Sequence, residues 1–376
     1  MEFAALALHY AWSFIVIISV IVFIHEFGHY IVAKWCGVKI EAFSIGFGKE
    51  IYGWNDKSGT RWKISLLPFG GYVKMYGDAG AASTADKDKI EQMSDEERQG
   101  SFHFKPLWQK ALIVAAGPAA NFILTIAVFT YLIFSSGLQS TEPVVGGVMP
   151  ESAAEEAGLQ SGDRIVTIDG KAMESFSDIS TAIALNLGDA VEIILLRNEE
   201  EVNVSLTPRH VDDVDALGNP ITRPLIGIQS QEVTWEDVSV VQALGISVER
   251  TYEICELTLH SIGQIITGER SAKELKGPLG IAKLSGQVTQ SGESTGETLR
   301  TILWFIAMLS ANLGLINLLP IPLLDGGHLL YYAVEGAQGR PVAEKVQEYG
   351  FRFGFAVIIT LMAFTVFNDI RQIFLS

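Results

Sequence analysis

The chain has 376 residues, of which 48% are hydrophobic and 19% are charged, and its formal net charge is −16. This apolar content is too high for a water-soluble enzyme, and the charged fraction is too high for membrane spans alone. The acidic balance argues against a nucleic-acid partner, and two cysteines cannot form a network of stabilising disulfides. We therefore expect a few membrane helices and a water-exposed part.

Four apolar stretches are long enough to cross a bilayer, since a membrane helix needs about 20 apolar residues. They are residues 11–35, 111–134, 301–319 and 353–374. Residues 240–267 are also apolar but carry Glu249, Arg250, Glu253 and Glu256, so they are predicted to form an amphipathic helix at the surface. The sequence thus predicts an α-helical polytopic membrane protein with about four spans.

The first predicted span contains the sequence His25-Glu26-Phe27-Gly28-His29. On a helix, two histidines four residues apart lie on one face, where both imidazoles can bind one Zn²⁺. Glu26 is then the usual general base for a water activated by the metal. Ionisable residues in a span are costly and mark functional sites. We therefore predict a metal site, and the alternative is a chance match on a core helix.

The loop after the first span predicts a cytoplasmic β-hairpin. Apolar and polar residues alternate in 61–67 and in 72–76. Between the two runs lies Pro68-Phe69-Gly70-Gly71, which favours a turn. From Lys34 to Lys110 there are about 12 basic and 10 acidic residues, against about 11 and 26 between residues 137 and 300. Because basic loops stay in the cytoplasm, we expect the first loop inside and the acidic segment outside.

The acidic segment contains an inserted small β-rich domain, predicted at residues 141–210. Short apolar runs at 144–148, 164–168, 191–196 and 202–206 predict its strands. The chain then divides into a first membrane part (1–140), this domain, a linker with amphipathic helices (211–300) and a second membrane part (301–376).

A catalytic zinc has three protein ligands and one open position, so the motif in the first span needs a third ligand. Asp325 is the strongest candidate, because it follows the proline-broken end of the third span and precedes Gly326-Gly327. The same Asp-Gly-Gly sequence is also ordinary turn chemistry. His328, three residues later, is a rival ligand.

Two asparagines lie in the apolar runs, where a buried amide needs a partner. Asn317 could hold the substrate backbone or a developing oxyanion, or it could form a contact between helices. Asn121 follows Gly117-Pro118 and has the same two interpretations. For Asn121 we favour the helix contact.

Three motifs together resemble the site-2 protease family, in particular bacterial proteases of the regulator-of-sigma-E type. They are His25-Glu26-x-x-His29, Gly117-Pro118-x-x-Asn121 and Asn317-x-x-Pro320-x-Pro322-x-x-Asp325-Gly326. The resemblance covers nearly the whole chain. It implies that His25, His29 and Asp325 hold zinc, with Glu26 as the base, and that the outer domain is a single unit of the PDZ type.

The resemblance further implies an intramembrane zinc endopeptidase of the bacterial inner membrane. Its expected partners are membrane lipid and single-span membrane proteins, such as anti-sigma factors or signal-peptide remnants, cleaved in regulated intramembrane proteolysis. The active site would lie near the cytoplasmic side, and the PDZ-like domain would be periplasmic. An unwound substrate would pair with the hairpin at Tyr72, Val73, Lys74 and Met75, and Asn317 would also contact it.

The alternative function is a membrane metal-ion transporter, since acidic and imidazole groups inside spans also suit an ion path. Transporters commonly contain internal repeats, and no repeat is visible in this sequence. A transporter would also have no use for an outer β-rich domain.

Overall fold

The computed structural model describes residues 2–80, 86–140, 142–186, 188–214, 220–231 and 234–375. The chain divides into two compact units. The first comprises Met1–Phe129, Arg250–Cys255 and Lys273–Ser376, and the second comprises Thr130–Glu249 and Glu256–Ala272. The four domain ranges predicted from the sequence stay predictions, and the limit at Thr141 lies outside the described residues.

The helices follow one another along the whole chain. They are α1 (Glu2–Trp35), α2 (Lys87–Glu91), α3 (Asp95–Gln99), α4 (Leu107–Ser136), α5 (Ala153–Glu156), α6 (Phe176–Leu185), α7 (Val240–Thr267), α8 (Pro278–Val288), α9 (Thr295–Leu318), α10 (Asp325–Gln338) and α11 (Glu344–Leu375).

The strands lie in the first loop and between α4 and α7. They are β1 (Ile40–Asn55), β2 (Arg61–Met75), β3 (Leu138–Ser140), β4 (Val145–Val148), β5 (Arg164–Ile168), β6 (Lys171–Ala172), β7 (Val191–Arg197), β8 (Glu200–Leu206), β9 (Arg209–Val214), β10 (Pro220–Leu225), β11 (Ile228–Ser230) and β12 (Thr234–Glu236).

Within the part of the chain that the structure describes, four helices are long and apolar enough to cross a membrane, and they confirm the four predicted spans. They contain the stretches Ala4–Trp35, Leu107–Ser136, Thr295–Leu318 and Glu344–Gln372. Large apolar side chains point outward on them, with Trp12 and Phe367 exposed by 66% and 68%. Polar side chains such as Asn121 and Ser310 are fully buried. This reversal is what lipid around a helix bundle requires.

Helix α7 confirms the helix predicted at residues 240–267. Ser239 caps its first turn through a reciprocal pair with Gln242, and Gly268 ends it in the left-handed conformation at φ 83°. It is not among the four span candidates of the described chain. Its location at a membrane surface stays a prediction.

The predicted hairpin of the first loop is wrong in its pairing. Strand β2 runs without a break from Arg61 to Met75, and Pro68-Phe69-Gly70-Gly71 lies inside the strand and not at a turn. Both halves of β2 pair with β1: residues 42–45 are opposite 71–74 and also opposite 61–64. The two runs that we expected to pair with each other therefore share β1 as a common neighbour.

The turn of this sheet lies earlier, between β1 and β2. The Asp56 carboxylate accepts hydrogen bonds from the backbone N–H groups of Ser58 and Thr60 and closes the loop. The sequence analysis missed β1 because Gly46 and Gly48, at φ 88° and 87°, interrupt its alternation and bend the strand.

The second unit contains the β-rich domain, built on a four-stranded antiparallel sheet in the order β6-β5-β7-β8. The alternating residues Val191, Ile193 and Leu195 of β7 are buried, which is the period-two pattern of a half-covered sheet. Strands β7 and β8 meet at Asn198-Glu199, both at positive φ, so the turn is shorter than the predicted 197–201.

A later segment completes the domain. Strand β11 pairs with β4, and Ile226 belongs to the same apolar core as Val145 and Ile165. Ile226 and β11 therefore pack with this domain, although the β9–β10 ribbon separates them from the earlier strands in the sequence. The chain is a polytopic helical protein with an inserted β-rich domain.

Candidate metal centre and its cavity

The two histidines of the first span face each other across one turn of α1. The Nε2 atoms of His25 and His29 are 3.3 Å apart, and both residues are more than nine-tenths buried. This is the geometry that the spacing of four residues predicts. Both side chains line a cavity in the helix bundle.

Asp325 joins them from the first turn of α10. Its Oδ2 atom lies 3.3 Å from His25 Nε2 and 3.5 Å from His29 Nε2. The chain reaches this place through Leu323, whose φ of 106° is rare for a side chain of this size. The helix break at Pro320 and Pro322 thus turns the carboxylate back towards α1, as the sequence analysis expected.

The residues present fit a zinc ion. Among the described residues, His25, His29 and Asp325 form a group whose ligand atoms could hold a metal. Ligands at about 2.0–2.1 Å from a tetrahedral zinc are about 3.3–3.4 Å from one another. The three distances between these ligand atoms are 3.3, 3.3 and 3.5 Å. Asp325 Oδ2 is moreover buried without a hydrogen-bond partner among the described residues, and a metal ion here would coordinate it.

His328, the rival ligand, lies in the wall of the same cavity but outside this group. Burial lowers the pKa of His328. Its ring centre lies 5.5 Å from that of Phe351. The structure therefore brings Asp325, and not His328, to the two histidines.

Helix α4 lies against the back of the two imidazoles. His29 Nδ1 is 2.8 Å from the carbonyl oxygen of Ile113, and His25 Nδ1 is 3.2 Å from Asn121 Nδ2. Between them, a Cβ atom on Gly117 would lie only 2.2 Å from His29 Nε2. The sequence predicted a helix break at Gly117-Pro118 and favoured a helix contact for Asn121, and these contacts with the imidazoles were not predicted.

Glu26 lines the cavity beside the histidines. The N–H of Val73 in β2 donates a hydrogen bond to its carboxylate. A Cβ atom on Gly71 would come within 3.0 Å of Glu26 Cγ, so the glycine lets the strand approach the helix this closely. The structure thus places the expected base between the candidate metal ligands and the strand.

Asn317 in α9 also reaches the centre. Its Nδ2 atom is 3.4 Å from His25 Nε2, and its side chain lines the cavity. It therefore faces the same side of His25 as Asp325 does. This position is compatible with a contact to a substrate bound in the cavity.

The cavity has a volume of about 400 Å³ and is bounded on one side by β2. Of the four strand residues predicted to bind substrate, Tyr72, Val73 and Met75 line it, whereas Lys74 forms an ion pair with Glu41 at 2.9 Å. Among the described residues, β2 pairs only with β1. The side of β2 that faces the cavity is therefore an open edge.

Part of that edge is already occupied. The outward N–H of Val73 is bonded to Glu26, and that of Met75 is 2.9 Å from Asp78 Oδ2. Asp78 is buried, and its Oδ1 atom lies 2.9 Å from His103 Nε2. An added strand would therefore find its open donors at the Gly70-Gly71 end.

A bundle of apolar helices that holds two histidines, a glutamate and an aspartate at one cavity defines a multi-pass membrane metalloprotease. The chain belongs to peptidase family M50, the site-2 proteases, whose family model matches residues 13–361. It is a zinc metalloprotease, and zinc is its cofactor.

Related proteins share nearly the whole chain. A protein of Rhizobium meliloti, named as a candidate zinc metalloprotease, is 40% identical over 366 residues, covering 96% of each chain. Metalloprotease MmpA of Caulobacter vibrioides is 37% identical over 377 residues, covering 96% of this chain and 95% of its own. A solved structure, the PDZ domain of the SdrC-like protein of Listeria monocytogenes, matches 25% of this chain over 90% of its own length. The sequence identity is 24% and the TM-score is 0.20.

Proposed function

We propose that the protein is an intramembrane endopeptidase in which His25, His29 and Asp325 hold the zinc ion and Glu26 is the general base. The observation that carries this proposal is the triangle of three ligand atoms, 3.3–3.5 Å apart, in the wall of a cavity inside the helix bundle. When bound, zinc would act as a Lewis acid that lowers the pKa of water and polarises a peptide carbonyl.

Glu26 moves the proton of the reaction. Its carboxylate takes one proton from the attacking water while the water oxygen bonds to the carbonyl carbon. As the C–N bond breaks, Glu26 passes that proton to the amine nitrogen of the leaving peptide. The charge of the carboxylate is restored, so no further group is consumed.

Asn317 donates a hydrogen bond towards the reacting carbonyl. Its Nδ2 atom lies 3.4 Å from His25 Nε2, on the side of the ligand atoms. A donor at this place stabilises charge that develops on the carbonyl oxygen. This role fits its position on the cavity wall better than a contact between helices does.

The open edge of β2 presents the substrate. A peptide bond inside a helix is shielded, so the segment to be cleaved must first unwind. An extended segment can then pair with β2 through the open backbone groups at its Gly70-Gly71 end, beside Glu26. Tyr72, Val73 and Met75 contact it, and Lys74 holds the strand through Glu41.

The substrates that we propose are single-span membrane proteins, such as anti-sigma factors or signal-peptide remnants, in regulated intramembrane proteolysis. Membership of the site-2 protease family supports this class. The proposed location is the bacterial inner membrane, with the active site near the cytoplasmic side and the β-rich, PDZ-like domain in the periplasm. The basic first loop supports this orientation.

The test is cleavage of a purified single-span substrate by the purified full-length protein in lipid nanodiscs. We expect a cut within the span, loss of cleavage after chelation and recovery on addition of zinc. A substrate whose span is replaced by a soluble helix is the control. Undiminished cleavage after removal of the metal, or a cut outside the span, would contradict the proposal.

A further inference from the structure

The buried amide of Asn121 meets the ring nitrogen of His25 that points away from Asp325. Asn121 is fully buried, and its Nδ2 atom is 3.2 Å from His25 Nδ1. The other end of the amide, Oδ1, is buried, and no described residue gives it a hydrogen bond. A buried acceptor without a donor is costly, so this amide calls for an explanation.

The chemistry of a zinc ligand supplies it. A neutral imidazole carries one N–H and one lone pair. If His25 Nε2 gives its lone pair to zinc, Nδ1 carries the hydrogen and needs an acceptor. Rotation about Cβ–Cγ exchanges the two ends of the Asn121 amide and turns Oδ1 towards this N–H. Oδ1 then gains a donor, and Nδ2 moves to the position that Oδ1 leaves. The tautomer that a zinc ligand requires, and not a larger number of partners, favours this orientation.

The Nδ1 atom of the second histidine, His29, also has a partner on α4. His29 Nδ1 is 2.8 Å from the carbonyl oxygen of Ile113, which fixes Nε2 as its free nitrogen. Ile113, Gly117 and Asn121 recur every four residues on α4, as His25 and His29 do on α1. Gly117 leaves the room that both rings need. One face of α4 thus supports both imidazoles.

Asn121 is itself held firmly in place. Its backbone carbonyl oxygen accepts hydrogen bonds from the hydroxyl groups of Thr125 and Ser310, each at 3.0 Å. A Cβ atom on Gly314 would lie 3.3 Å from Asn121 Cβ, so α9 packs closely against it. The side-chain amide can rotate about Cβ–Cγ, but the fixed backbone keeps it next to His25.

We infer that Asn121 is a positioning residue for zinc binding: its Oδ1 accepts the Nδ1–H of His25, selects the tautomer and aims Nε2 at the metal. The inference rests on the ligand set proposed above. Hydrogen-bond partners of metal-bound histidines typically change metal affinity by about 10–100-fold. Asn121 thus controls zinc affinity without contacting substrate.

The test is the zinc affinity of full-length Asn121→Leu and Asn121→Asp, measured by competition with a chromophoric chelator. We expect Asn121→Leu to lose about 10–100-fold, and Asn121→Asp, which keeps an acceptor, to stay near the wild type. The visible absorption of the Co²⁺-substituted protein should change in Asn121→Leu alone. Phe129→Leu, also buried on α4 but two turns beyond Asn121, is the packing control and should bind zinc normally.

Two results would overturn the inference. Wild-type zinc affinity in a folded Asn121→Leu protein would reduce Asn121 to a helix contact. An equal loss of affinity in Asn121→Leu and Asn121→Asp, or in Asn121→Leu and Phe129→Leu, would exclude the acceptor role. A wild-type protein that bound no zinc would instead contradict the proposed ligand set, so the two failures are distinguishable.

Discussion

Asp325 is the residue on which the proposed ligand set depends most. Replacing it by alanine leaves two protein ligands, too few for a tight catalytic zinc site. We expect purified Asp325→Ala to contain little zinc and to lose cleavage, as measured by metal analysis and a substrate assay. His328→Ala, in the same cavity wall, is the matched control and should keep its zinc. The reverse pattern would move the third ligand to His328.

Gly117 tests the close approach of α4 to the ligands. An alanine Cβ would lie 2.2 Å from His29 Nε2 and 2.9 Å from His25 Cε1. We expect Gly117→Ala to displace both rings and to lower zinc content in metal analysis. Gly263→Ala is the control, because a Cβ there meets no atom within 4 Å. Normal zinc in Gly117→Ala would show that the rings do not need this space.

Residue types and spacing predicted His25, Glu26, His29 and Asp325 because each carries chemistry that is rare in an apolar segment. The roles of Gly117 and Asn121 were not predictable in this way. A glycine and an amide acquire their function only when α4 packs against α1, and nothing in the local sequence states which helices touch. Partners of this kind follow from packing and not from motif.

At the scale of elements, the open edge of β2 makes the strongest claim about substrate. We expect a proline at one of positions 72–75 to reduce cleavage sharply while zinc content stays normal. Proline removes an N–H that bonds this part of β2 to β1, to Glu26 or to Asp78, and so distorts the edge beside the open Gly70-Gly71 end. Alanine at the same position should be milder. The measurements are cleavage rate and metal content of the purified variants.

A substrate series separates this effect from damage to Glu26, which is bonded to Val73. Substrates with helix-weakening residues in the span unwind at lower cost, so the proline variants should cleave them relatively better. Wild-type rates in the proline variants would make β2 a structural element only. An equal loss on every substrate would assign the effect to Glu26.

Long elements were easier to predict than short ones. The four spans and α7 follow from uniform or periodic hydrophobicity over 18 or more residues. The first-loop sheet was mispaired because β2 carries turn-like residues, Pro68 to Gly71, inside a strand, while β1 is bent at two glycines. Pairing between distant segments decided this case, and local turn chemistry indicated the wrong partner.

At the scale of the whole molecule, the two cysteines test the orientation. The basic first loop predicts Cys36 inside and Cys255 outside. An impermeant thiol reagent on intact spheroplasts should label Cys255 and spare Cys36, with the single Cys→Ser variants assigning each label. Burial raises the pKa of the Cys255 thiol, which leaves less reactive thiolate at a given pH, so labelling is best done at alkaline pH. Labelling of Cys36 alone would show that the orientation is the opposite of the predicted one.

The central claim is that Glu26 moves a proton at a zinc centre that His25, His29 and Asp325 hold without it. The most direct measurement is zinc content together with cleavage in purified Glu26→Gln beside the wild type. The amide cannot accept a proton, but it leaves all three ligands in place. We predict wild-type zinc and at least a hundredfold slower cleavage, on the order of a general base's contribution. Cleavage at a wild-type rate by the zinc-loaded variant would contradict the account.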